Sequence, residues 1–554
     1  MIKRMNMKNI KSKIQIGILL ILTGIIITFA CKKDEIEYER NRLFSPVINT
    51  DLEADGNTII VSLGNLKGAQ YYTIYVSRDT LNTIDYTFTV DTTYFVINSD
   101  LTGEELLWNV RYQIAGKAHA DDTIYDSNIS FLGEILTDSY PTNMITPNEF
   151  DVLDVMARVK WHDEGEPIDK IIVYAEKALD VRLKNPLLEF SNIQIETDSL
   201  SDKYTFIAGL EPETNYQIAI YSGDKLRGWK DFTTKAASVS GDNVISLTGI
   251  TNDSILLDTL PTLADGSIIL LEGGKTYVAG GYGFDKSVTI QSGLSFVQAK
   301  PLITCASNYR IRNNSTIGSI TFKDIAFEGD FSGNYVFNID SSGTIGEISF
   351  ENCEIHSLRG VTRIKDGTGT IDKFTIKNTV VDSINGYGIF FVDKDTWTAG
   401  DITIEESTFS KCIVFLASKT NTNSVNIKNC TMNQIPEQGR PILRWHGAAG
   451  NTNVTSGINI ELCIWGAGWN QSDPLGVTAV KGYEGLESTA ITVTNCFATA
   501  DFSFSTSPIT GFPSTQYTET GAEVWVNPDN VDFNFQNKNQ DGASTAGDPR
   551  WKPN

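Results

Sequence analysis

Seven short segments in the C-terminal half repeat one pattern, and no other feature of the chain restricts its fold as tightly. They read SITFKDIAF (319–327), EISFENCEI (347–355), KFTIKNTVV (373–381), DITIEESTF (401–409), SVNIKNCTM (424–432), GINIELCIW (457–465) and AITVTNCFA (490–498). Their fourth residues, Phe322, Phe350, Ile376, Ile404, Ile427, Ile460 and Val493, are spaced 28, 26, 28, 23, 33 and 33 apart. A repeat of this length built from short alternating strands cannot bury its apolar side alone and must stack on its neighbours. The spacing predicts a right-handed parallel β-helix over 237–554, each segment marking one turn, with turns about 4.8 Å apart.

Stacking turns the repeats into columns. The anchors and their partners two residues earlier face inward, because side chains alternate along a strand. The next residue faces out and reads Lys323, Glu351, Lys377, Glu405, Lys428, Glu461, Thr494, a solvated charge ladder. Then come Asp324, Asn352, Asn378, Glu406, Asn429, Leu462 and Asn495, a column of turn formers. Ile325, Cys353, Thr379, Ser407, Cys430, Cys463 and Cys496 follow, small interior fillers among which free thiols are the expectation. A disulfide between adjacent rungs is the other reading, and no His or Asp stands there at metal-ligand spacing.

A second strand per turn is also legible: VFNIDSSG (336–343), VTRIKDGTG (361–369), IFFVDKD (389–395), IVFLASK (413–419), ILRWHGA (442–448) and VTAVKGY (477–483). Ile339, Ile364, Val392, Leu416, Trp445 and Val480 form an apolar column, which places Trp445 in the core. The preceding column, expected to face out, is Asn338, Arg363, Phe391, Phe415, Arg444, Ala479. Four residues earlier the same side carries Asn334, Arg359, Tyr387, Lys411, Arg440 and Leu475. Together Arg359, Arg363, Tyr387, Phe391, Lys411, Phe415, Arg440 and Arg444 make a basic and aromatic strip. Arginine offers a planar fork to carboxylates and aromatic faces stack on sugar rings, so a uronic-acid-containing polysaccharide fits this strip. Two readings stay open: the strip is bare, or it lies under a loop such as 393–400 or 467–475, or under the C-terminal tail.

Catalysis is the weaker expectation. Asp340, Lys365 and Asp393 stand on neighbouring turns and could serve a lyase or hydrolase, but lysine separates the acids as in an ion-pair ladder. Calcium enters only under that lyase alternative; otherwise no cofactor or metal is expected. Arg440-Pro441-x2-Arg444 resembles the arginine-proline-arginine motif of pectate lyases, yet its spacing differs.

At the other end, Lys3, Arg4, Lys8, Lys11 and Lys13 precede an apolar run from Ile14 to Ala30 that stops at Cys31. This is a secretory signal of the lipoprotein type, residues 1–30, with lipidation at Cys31, although Thr28 replaces the usual leucine. A membrane span is the alternative, at the short limit of length. Residues 31–45 are a charged tether. Acidic residues outnumber basic ones 68 to 45, which argues against nucleic acid as a partner.

Between the tether and the repeats, 46–136 and 143–236 read as two small all-β modules. Trp161 in an early strand and Leu210-x5-Tyr216 before a long alternating strand resemble the fibronectin type III sandwich. The first module offers Leu101 and Trp108 in the corresponding region. LADGSIILLEGGKTY (263–277) resembles the opening turn of pectin-lyase-like helices. KKDE (32–35) is similar to the export signal of Bacteroidetes surface lipoproteins, and GDPRWKPN (547–554) to the terminal motif of a group of them. That group joins a lipid anchor, fibronectin-like modules and a pectin-lyase-like β-helix of unassigned function. The resemblance implies an outer-membrane, cell-surface protein encoded in a glycan-utilisation locus, next to glycan-import proteins, that binds polysaccharide without cleaving it. A polysaccharide lyase or hydrolase, and a structural adhesin or spacer, are the rival functions.

Overall fold

A computed structural model describes residues 41–553, apart from 109, 139–141, 163–166, 176–185, 191–195, 198–201, 224, 448–449, 452 and 472–477. Cys31, the signal segment and most of the tether lie outside the described residues. Two compact units are present, the first built on residues up to 142 and the second from 143 onward.

The first unit is a sandwich. Glu53–Asp55, Thr58–Ser62 and Tyr94–Ile97 form a three-stranded sheet, and Tyr86–Val90, Tyr71–Ser77, Arg111–His119 and Ser130–Leu136 a four-stranded one. Ile59, Val61, Ile74, Val76, Ile97 and Ile114 fill the space between them. The corner is not at Leu101 and Trp108. Leu106-x5-Tyr112 occupies it, and the Tyr112 hydroxyl accepts the Leu107 N–H at 2.9 Å. The residue spacing is the one expected at Leu210-x5-Tyr216, where the Tyr216 hydroxyl accepts from the Glu211 N–H at 3.0 Å.

That second corner belongs to another sandwich, in the second unit. Its three-stranded sheet contains Met156–His162 with Trp161 buried, and its four-stranded sheet contains Lys170–Ala175 and Asn215–Ser222. This sandwich is continuous with the helix rather than a detached bead. Phe206 meets Phe296 at 4.8 Å, Arg158 lies over the same ring at 5.6 Å, and Ser238 donates to Asp154 from its backbone and hydroxyl.

The repeats form a parallel β-helix with three faces. Ten strands stack on the first face, from Val244–Ser246 to Ile491–Thr494, and ten on the second, from Thr276–Val278 to Thr515–Gln516. The third runs from Tyr335–Ile339 to Phe502–Thr506. On the first face Phe322, Phe350, Ile376, Ile404, Ile427, Ile460 and Val493 pair in register turn by turn, as the repeat predicts. The column after the charge ladder has left-handed backbone throughout, with φ between 49° and 56° from Asp324 to Asn495. Asparagine tolerates that conformation, and its side chains also link the turns, Asn378 donating to Asn352 Oδ1 at 3.1 Å. All six described cysteines are free and buried. Burial pushes the Cys305 and Cys353 thiols up to about 12, so they are interior packing rather than reactive groups.

Residues 521–553 fold over the second face. Asp548 accepts from the Thr408 hydroxyl at 2.7 Å, Trp551 Nε1 donates to the same hydroxyl oxygen at 2.7 Å, and Arg550 donates to the Asn378 carbonyl at 2.9 Å. The tail therefore covers the second face, where it reaches one residue of the expected strip, Lys411.

Candidate functional site

The third face carries the strip, in a register that differs from the expected one in its fourth and sixth turns. Asn338, Arg363, Phe391, Ala417, Arg444 and Glu484 pair in succession. Ala417 takes the position assigned to Phe415, and Glu484 that assigned to Ala479. Leu416 pairs with Phe390, and Ser418 sits between Val392 and Trp445. A two-residue slip keeps the inward parity of Leu416 while changing its neighbours. The small Ser418 gives room beside Trp445, which is fully buried and donates from Nε1 to the Thr422 hydroxyl at 3.0 Å.

Phe415 leaves the candidate set. It is fully buried where the chain turns into the third strand, and its carbonyl accepts the Ile389 N–H at 3.0 Å. Its ring meets Phe409 at 5.4 Å and Trp465 at 6.1 Å. Lys411 leaves the set as well. It stands at a second column of left-handed residues, Ser357, Ser383, Lys411 and Gln434, that bends the chain between the second and third faces. Its ammonium donates to the Asp529 carbonyl at 2.5 Å, so it fastens the C-terminal segment.

The remaining residues assemble around Tyr387. Its backbone N–H donates to the Arg359 carbonyl at 3.1 Å, which puts the two on adjacent turns. Arg363 lies 3.8 Å from the Tyr387 ring centre and Arg359 5.0 Å from it, so the ring serves two guanidinium groups. Gly360 makes this possible: a Cβ there would meet Tyr387 at 2.9 Å and Tyr335 at 3.1 Å. Those two rings, 5.6 Å apart, close over the glycine. Arg359 makes no ion pair among the described residues, whereas Arg363 is bound to Asp393 through Nε at 3.1 Å and its terminal nitrogen at 2.5 Å. Lys419 holds the other oxygen of Asp393 at 2.8 Å.

Next to this box lies an aromatic cover. Phe391, Ile413, Val414 and Ala417 form a buried apolar floor beneath Tyr387, Phe331 and Trp469. Phe331 and Trp469 meet edge to face at 6.2 Å, and Asn385 donates to the Phe331 carbonyl at 2.9 Å, which fixes its loop. Both rings are half-buried. Of the two expected outcomes, part of each holds: Trp469 packs over the cluster that contains Phe391, while Tyr387 and Arg359 stay half-exposed and Arg440 exposed. Arg363 and Arg444 stand three turns apart, about 14 Å. At that far end Arg440 is exposed and pairs with Glu437 at 2.8 Å, and Arg444 faces Glu484 at 3.6 Å. The Arg444 Nε is buried without a hydrogen-bond partner.

Phe331 and Trp469 were not legible as site residues because they come from loops outside the strand alignment, and Tyr335 because it opens its strand one residue before the aligned segment 336–343. The acid–base trio does not converge. Asp393 is taken by Arg363 and Lys419, and Asp340 lies 4.0 Å from Arg310. No group of three or more His, Cys, Asp or Glu among the described residues could hold a metal ion.

A family described as a domain of unknown function, DUF4957, matches residues 275–412, and a second, DUF5123, also a domain of unknown function, matches 425–551. No curated protein matches the chain. Among solved structures, the FN1–FN3 domains of chicken CNTN1 are similar at 16% identity, over 36% of this chain and 69% of that one, with a TM-score of 0.16. A two-domain fibronectin type III segment of chicken tenascin is similar at 15% identity, over 35% and 99%, with a TM-score of 0.16. The chain joins two fibronectin type III-like sandwiches to a parallel β-helix whose two parts each match a family of unknown function.

Proposed function

We propose that this is a surface lipoprotein that holds an acidic, uronic-acid-containing polysaccharide on the third face of its β-helix without cleaving it. One observation carries the reading. Arg359 lies over the Tyr387 ring at 5.0 Å and makes no ion pair with an acid among the described residues, in a chain of net charge −23. A guanidinium held near a ring with no acid beside it has N–H groups to offer a carboxylate, and in so acidic a protein this points to an anionic ligand. Phe331, Tyr387 and Trp469 add half-buried rings for sugar faces, and Arg440 and Arg444 add cations about three turns, or 14 Å, away.

The non-catalytic half of the reading is supported by the acids on this face, which are engaged by arginine and lysine rather than poised over a cleft. Lipidation at Cys31, export to the outer leaflet of a Bacteroidetes outer membrane and association with glycan-import proteins rest on the sequence features at 1–35. Affinity gels containing polygalacturonate, run beside neutral glucans, test the whole proposal. Retardation by polygalacturonate without new unsaturated chain ends is expected. Release of unsaturated ends would move the protein to the lyases, and no retardation by any glycan would favour a spacer.

A further inference from the structure

The exposed apolar side chains are distributed unevenly. Among the described residues six large ones are more than 55% exposed, namely Phe44 (84%), Ile124 (67%), Val47 (64%), Tyr94 (61%), Ile129 (58%) and Phe131 (58%), and all six belong to the first sandwich. Isolated exposed hydrophobics need no explanation, but a group of them does. Four of the six are brought to one end of the domain. The Leu43 N–H donates to the Tyr125 carbonyl at 2.8 Å, the Ser45 hydroxyl to the Asn128 carbonyl at 3.0 Å, and the Ser130 hydroxyl to the Pro46 carbonyl at 2.5 Å. These bonds hold the entering chain along 125–130, so Phe44 stands beside Ile124, Ile129 and Phe131. Leu43 packs into the core, which turns Phe44 outward. Ile129 and Phe131 flank Ser130 where the strand Ser130–Leu136 begins, and both are exposed.

We infer that this end of the first sandwich is a membrane-contact surface, whose occupant is the lipid bilayer to which the chain is anchored. The inference rests on the lipid anchor at Cys31 proposed above. Only ten residues, 32–41, separate Cys31 from Arg42. Even fully extended they reach about 35 Å, so the patch is tethered close to the bilayer. Its charges are mixed, Arg42 against the exposed Asp121 and Asp122, so the contact is apolar and insensitive to salt. Phenylalanine and isoleucine inserted at the headgroup boundary bury apolar area there and so restrict how the tethered domain lies against the bilayer.

The test uses the full chain from Cys31 onward, coupled through that thiol to a maleimide phospholipid in vesicles of phosphatidylethanolamine and phosphatidylglycerol. The other cysteines are buried, which directs coupling to Cys31. Amide hydrogen exchange at 42–46 and 122–131 is expected to slow about threefold or more on coupling, at low and high salt alike, with no change around Val526. The variant Phe44→Ser/Ile124→Ser/Ile129→Ser/Phe131→Ser, altered only at exposed positions, is expected to lose that protection. Unchanged exchange in the coupled protein overturns the inference. Protection that rises with protein concentration in the absence of vesicles overturns it too, in favour of a second copy of the chain. Because the lipid is supplied chemically, failure here is separate from failure of natural lipidation, which the mass of the Cys31 peptide from the native host decides.

Discussion

The first and third faces of the β-helix are built from the same turns, yet one repeats and the other does not. On the first face every turn from Phe322 to Val493 uses the same strand, the same outward column and the same left-handed residue. On the third face Gly360 stands where its neighbours carry Tyr335 and a bend at Tyr387, and Ser418 where its neighbours carry Val392 and Trp445. Regularity on the first face serves packing. Its ion pairs, Lys323–Glu351 at 2.8 Å and Lys428–Glu461 at 3.2 Å, are solvent-exposed and contribute little. Irregularity on the third face creates what a regular stack lacks: a ring pair closing over a glycine, guanidinium groups stacked on it, and loops carrying Phe331 and Trp469 across the turns.

The comparison breaks first at Phe415. If it is core, Phe415→Ala destabilises the helix by about 3–5 kcal/mol in chemical unfolding; a surface phenylalanine would cost almost nothing. A smaller loss is expected for Asp393→Ala, which leaves Arg363 and Lys419 without their shared acid and costs about 1–3 kcal/mol. The same substitution frees two cations on the strip, so retention by acidic glycan should be kept or tightened even as stability falls. On the first face, Glu406→Gly relieves a left-handed non-glycine residue (φ 52°) and should stabilise by up to about 1 kcal/mol, read from the same unfolding curves. Glu405→Gly, one residue earlier in the charge ladder, should destabilise instead, because Glu405 closes the strand Trp397–Glu405 with ordinary extended backbone.

The smallest effect concerns pH and the C-terminal segment. Burial holds the Asp548 carboxyl above its usual value, although Arg550 and the Thr408 hydroxyl oppose the shift. Its folded value then exceeds its unfolded value, so the folded state binds the proton more tightly. This group's contribution therefore improves as pH falls from neutrality through the raised value towards the unfolded one of about 3.9. Melting curves between neutral pH and that limit should show the wild type gaining on Asp548→Asn as the solution is acidified; parallel curves would contradict the shift.

What could be read in advance follows the same division. The first-face register, the turn column and the buried cysteines were legible because hydrophobic period and asparagine spacing repeat in nearly every turn. Trp445 was legible as core for the same reason. Phe415 and Lys411 were misplaced because a period of two cannot distinguish a strand residue from one at the bend before it. Phe415 turns inward at a corner where every residue from 412 to 418 is buried, so alternation gives no clue to parity, and Lys411 belongs to a bend whose left-handed members, serine, lysine and glutamine, carry no common side-chain signature. Leu106-x5-Tyr112 carries the same corner spacing as Leu210-x5-Tyr216, but Leu101 and Trp108 offer a competing leucine–aromatic pair beside it. Phe331 and Trp469 depend on loop paths that no column contains.

The central claim is that the irregular face binds acidic glycan through Arg359 and the rings beside it. The direct measurement is retention of Arg359→Ala/Trp469→Ala in a polygalacturonate gel, with thermal unfolding recorded in parallel. Both side chains are half-buried, so a modest loss of stability is expected in a chain that stays folded, while the dissociation constant rises at least about tenfold, a loss of about 1.4 kcal/mol. Full retention by a folded double variant would contradict the claim and return the third face to scaffold.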